Sequence, residues 1–118
     1  MKYIRIQATY NSTITGKPLG VFGVIHGLQS RNELTDLEVE VFNQVKHWFE
    51  ENLAQPQFYK KGNSPKGISW FKESSKEMLM KIEPLINIMK NHNVCYEIKE
   101  TLDPSEIIYE DDFQVCSV

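Results

Sequence analysis

The sequence predicts an α+β fold: a small, mainly antiparallel or mixed sheet with helices on one face, in the order β-α-α-β-α-β-β. Three observations lead there. Residues 2–10 and 94–101 alternate apolar and polar side chains, as strands with one covered and one open face do. Leu37, Val41, Val45, Trp48 and Phe49 recur at helical spacing, and so do Met78, Ile82, Leu85, Ile86 and Met89. The closing stretch EIIYEDDFQVCSV holds two strand-like pieces around an acidic interruption.

At 118 residues the chain fits one domain, 1–118, able to bury a core without metal or disulfide staples. Its 41% hydrophobic and 25% charged residues are those of a soluble globular protein. A formal charge of −3 argues against nucleic-acid binding, which needs a basic surface. No apolar run approaches the length of a membrane span, and the opening MKYIRIQATY is no signal peptide. A reducing cytoplasm is therefore the expected compartment.

In the first strand Ile4, Ile6 and Ala8 would face the core, with Tyr3, Arg5, Gln7 and Thr9 on the open side. A loop follows from Asn11 to Pro18. Leu19 to Ser30 has helical spacing at Val21, Val24, Ile25 and Leu28, although a strand over 21–26 also fits. Gly20, Gly23 and Gly27 form a stripe on that helix, suited to close packing or to a ligand lying on bare backbone. Asn32 to Asn52 is the next helix, with Thr35 and Glu38 as its capping box. Residues 53–66 make a long connection in which Phe58 and Tyr59 stand beside Lys60, Lys61 and Lys66. Such a loop caps a core or grips an anionic, planar ligand.

Ile68 to Lys72 reads as a strand and Ser74-Ser75-Lys76-Glu77 as a second capping box, with Ser74 as the cap. Pro84 lies deep inside the apolar repeat that follows, so a kink is expected there. Asn91 or Asn93 can end that helix in the left-handed region. In the next strand Val94, Tyr96 and Ile98 would point inward, and Asp103-Pro104-Ser105 is a turn.

Signs of chemistry are sparse. His92 and Cys95 have the spacing of half a zinc site, but no second pair completes it, and no cofactor is expected. Cys116, in an alternating apolar segment, reads as a small core residue. Glu110, Asp111 and Asp112 could raise one another's pKa, hold a cation, or simply form a turn whose Asp side chains satisfy local N–H groups. A pocket between the glycine stripe, the 54–66 loop and the terminal strand would be lined by Arg5, His26, Lys72, Tyr109 and Asp111.

Taken together, Gly20-Val21-Phe22, the stretch LTDLE from Leu34, WFEENL from Trp48, ISWFK from Ile68 and IYEDDFQV from Ile108 resemble a family of small bacterial single-domain proteins with no known activity. The motifs span most of the chain. Ser105 departs from the pattern, where a Pro-Gly turn is expected after Asp103. The resemblance implies one compact domain and no activity.

The leading expectation is a non-catalytic, regulatory binding or interaction module, dimerising or meeting a protein partner through the open sheet face. The alternative is a small-ligand protein that sequesters, or slowly turns over, a phosphorylated or nucleotide-like molecule. An enzyme using the Glu110–Asp112 acids with a metal ranks third.

Overall fold

In a computed structural model, residues 1–13, 16–54 and 67–118 are described. Among them are three helices and six strands, and all the strands join one antiparallel sheet. The elements are β1 (Tyr3–Asn11), β2 (Pro18–Gly20), α1 (Val21–Ser30), α2 (Asp36–Asn52), β3 (Ile68–Lys72), α3 (Lys76–Asn91), β4 (Tyr96–Thr101), β5 (Ile107–Glu110) and β6 (Gln114–Ser117). The expected α+β order holds, with β2 added inside the stretch read as loop and start of helix.

β1 organises the sheet. One edge pairs with β4 from Tyr3 opposite Thr101 to Ala8 opposite Tyr96. Its other edge is shared. Tyr3 and Ile4 lie opposite Lys72 and Phe71 of β3, whereas Gln7 and Asn11 lie opposite Gly20 and Pro18 of β2. Beyond β3 come β6 and then β5, so the strand order runs β4-β1-β3-β6-β5, with β2 sharing an edge of β1.

The helices cover the face that carries Ile4, Ile6, Ala8 and Phe71. Ile25 of α1, Phe42 of α2, and Ile82, Leu85 and Met89 of α3 are fully buried against it. Burying each of these large side chains contributes about 1.5–3 kcal/mol. Phe49 links three elements: its ring meets Phe22 edge-on at 5.2 Å and Phe71 at 6.1 Å.

The helix ends show how local signals compete with tertiary ones. Thr35 and Glu38 form the expected box: Glu38 N–H donates to Thr35 Oγ1, and Thr35 N–H donates to the Glu38 carboxylate. That carboxylate also lies 2.9 Å from His92 Nε2, tying the start of α2 to the end of α3. Burial pushes the Glu38 pKa up, but the bonds from His92 and Thr35 outweigh it and hold the group below its usual value. The second box does not form. α3 starts at Lys76 with Ser75 as N-cap, and the Ser75 hydroxyl donates instead to Phe113 O at 2.8 Å. α3 runs on through Pro84, whose ring lies on the exposed side. Asn93 takes the left-handed conformation at φ 56°, as expected of a helix stop.

Two inward expectations fail. Leu37 is 69% exposed because the buried stripe of α2 runs through Phe42, Val45 and Phe49, and Leu37 lies off that line. Ile98 is 56% exposed although it lies opposite the buried Ile6. Ile98 sits at the sheet margin, in the last strand on that edge.

Candidate functional site

The division of β1 between two neighbours leaves a gap in the sheet next to Arg5. There the strand loses β3 and has not yet met β2. Arg5 spans this gap. Its Nη1 donates to Ser69 O and its Nη2 to Pro18 O, each at 2.9 Å, while Nε donates to the Gln7 side chain at 3.0 Å. The guanidinium thus supplies donors to carbonyls of both flanking strands, and its planar fork is held in one orientation.

Over this gap lies a cavity of about 470 Å³. Its lining is apolar at Ile6, Val21, Phe22 and Phe71 and polar at Arg5, Ser69 and Gln114. The first turn of α1 opens onto it through Gly20 to Gly23. Gly20 is the N-cap, no side chain caps the helix, and no acidic residue occupies its first turn. The partial positive charge of the helix start is therefore not offset by the helix's own side chains. A Cβ on Gly20 would come within 3.1 Å of Arg5 Nη2, so the absent side chain lets the guanidinium approach the helix start. Gly23 and Gly27 instead face Leu19 and Arg31 of their own neighbourhood.

The expected pocket was to lie between the glycine stripe, the 54–66 loop and the terminal strand. The cavity is bounded by the start of that stripe, by Leu53 and Gly67, and by Gln114 of β6. Residues 55–66, with their aromatic and lysine side chains, lie outside the described residues. Of the five residues named from the sequence, Arg5 alone lines this cavity. His26 is exposed on α1. Lys72 projects from the opposite face of β3, where its Nζ pairs with Glu110 at 2.7 Å. The hydrogen bond to Glu110 raises the Lys72 pKa against the opposing effect of burial, and the charges of Glu110, Tyr3 and Asp112 raise it further.

Tyr109 and Asp111 do meet, in the β5–β6 turn. Asp111 Oδ1 accepts from the N–H groups of Phe113 and Gln114, and Oδ2 accepts from Tyr109 OH at 2.9 Å and Gln114 Nε2 at 3.2 Å. Burial works to raise the Asp111 pKa, but these bonds together prevail and hold it below the usual carboxylate range. The same Tyr109–Asp111 bond raises the tyrosine pKa. The acidic trio is therefore divided between a turn-forming Asp111 and a Lys72-paired Glu110. Gln114 is legible in the sequence as a flank of the acidic trio, but its role is not. It is 3% exposed, and its Nε2 also donates to Ala54 O, joining the turn to the end of α2. Its alternation with Val115 in β6 was the signal available.

Among the described residues, no group of three or more His, Cys, Asp and Glu could hold a metal ion. His92 is engaged by Glu38, and Cys95 and Cys116 are not joined in a disulfide. Cys116 is buried in the core, as its surroundings in sequence implied. No described helix is long and apolar enough to cross a membrane. Comparison with known proteins finds no matching family, no matching curated protein and no matching solved structure.

Proposed function

We propose that this protein is a non-catalytic binding module of the cytoplasm whose cavity takes a small ligand with an anionic group, such as a phosphorylated or nucleotide-like molecule. One observation carries the reading: the uncapped start of α1 and the fixed Arg5 guanidinium line the same cavity. Helix N–H groups suit a phosphate or carboxylate, and the positive charge of the nearby guanidinium favours one. Phe22, Phe71 and Ile6 offer an apolar wall for the rest of the molecule. The volume falls in the range of small-molecule sites. Support for a role without catalysis comes from Asp111, whose oxygens already serve four donors in the turn. The same reading has the chain regulating a partner, as a homodimer.

Gly20→Asp tests it. Gly20 has φ −72°, which any residue adopts, so the new carboxylate would cap α1 and sit against Arg5. The variant's own carboxylate should take the ligand's place. Thermal shift with inorganic phosphate and nucleoside monophosphates should raise Tm for the native chain, and unphosphorylated nucleosides should not. Gly20→Asp should ignore all of them. The proposal fails if no phosphorylated probe shifts the native chain, or if Gly20→Asp responds as the native chain does.

A further inference from the structure

We infer that the exposed edge of β4 docks a second copy of this chain, antiparallel, about a two-fold axis through Ile98. The inference gives the homodimer reading a surface and a register, and it is independent of the cavity.

Among the described residues β4 pairs only with β1, and Glu97, Ile98, Lys99 and Glu100 are all exposed. The direction of its unused backbone groups follows from the ladder. Thr9 N–H donates to Cys95 O at 3.0 Å, so in this register Cys95, Glu97, Lys99 and Thr101 turn their N–H and C=O toward β1. Tyr96, Ile98 and Glu100 therefore turn theirs outward. An edge with these groups free is a template for another strand.

Charge selects the partner and the register. With the axis at Glu97 that residue would face its own copy, and with the axis at Lys99 the lysine would do so. Like charges directly opposite are destabilising. With the axis at Ile98, Glu97 faces the partner's Lys99 and Lys99 faces the partner's Glu97. These become the non-hydrogen-bonded pairs, in which opposite side chains come closest. In the same register the outward residues match: Ile98 meets Ile98, and Tyr96 meets Glu100. One register thus satisfies both the hydrogen bonds and the charges. It also covers Ile98, 56% exposed, from the helix side of the sheet. The far edge is a poorer template, because β5 is short and its register shifts between Ile107 and Tyr109.

Sedimentation equilibrium over a range of concentrations tests this. The native chain should dimerise at submillimolar concentration. Ile98→Pro removes an outward N–H that the monomer does not use, so it should keep the native Tm and circular dichroism yet remain monomeric. Glu97→Lys should weaken the dimer at least about tenfold, and adding Lys99→Glu should restore it. A native chain that stays monomeric overturns both the edge and the homodimer reading. A dimer indifferent to Ile98→Pro, or a double variant no tighter than Glu97→Lys, overturns the edge alone.

Discussion

β6 and β4 are both short antiparallel strands with alternating sequences, yet their surroundings are opposite. Every residue of β6 from Gln114 to Ser117 is buried, whereas Glu97 to Glu100 of β4 are all exposed. β6 lies between β3 and β5, and its residues are buried on both faces. β4 lies outside β1 at the sheet margin, with Tyr96 packed on the core and Glu97 to Glu100 beyond it. Alternation reports which residues share a face. It says nothing of whether that face is covered, because coverage is set by a strand's place in the sheet.

The largest contrast should come from placing a charge in each strand. Val115→Asp buries an unpaired carboxylate at a fully buried position and should cost at least about 4 kcal/mol, seen as loss of the folded state. Ile98→Asp should change monomer stability by no more than about 0.5 kcal/mol in urea unfolding at low concentration. Similar costs at the two sites would break the comparison.

The turn that delivers β6 offers the next test. Asp111→Asn keeps one acceptor oxygen but turns an NH₂ toward donors, and should cost about 2 kcal/mol at neutral pH. Folding lowers the Asp111 pKa, so its contribution is complete above the usual carboxylate range and is lost as pH falls through the folded value. The native chain should therefore lose stability over that acid window, and Asp111→Asn should lose less there. A native profile for Asp111→Asn would mean that the turn does not depend on the charge.

The smallest effect lies in the connection between β4 and β5. Ser105 stands at φ 74°, a left-handed conformation that disfavours a side chain. Its N–H donates to Asp103 Oδ1 at 3.0 Å, which holds the turn. Ser105→Gly should gain about 0.5 kcal/mol, the relief of strain less the added flexibility of the unfolded chain. A loss would show that the serine side chain contributes more than its backbone costs.

What the sequence revealed divides along the same line. The Thr35–Glu38 box and the Asn93 stop were readable because each depends on a few neighbouring residues. The Ser74 cap was misassigned because the neighbouring Ser75 found a distant acceptor, Phe113 O, which no local window contains. β2 went unseen because its three residues are a strand only by virtue of the edge of β1 left free by β3. For the same reason Arg5 could be named as a polar residue, but its bridge across two strands could not be foreseen. Asp111 belonged to a trio with three open readings, and the partners that decided for the turn came from both arms of the hairpin.

The double-sided pairing of β1 has a consequence for how the chain acquires its shape during synthesis. β1 leaves the ribosome before two of its partners, β3 and β4, which follow much later in the sequence. Until those arrive, the nascent strand has only β2 within local reach. Closing such distant contacts is slow, because the entropy of the intervening loop must be lost before pairing is rewarded. The apolar residues of β1, Ile4 and Ile6 among them, are meanwhile exposed, in the interval when a chaperone has most to protect. Slow synthesis through the middle of the chain should prolong that interval, whereas the same pause after β4 has emerged should matter little.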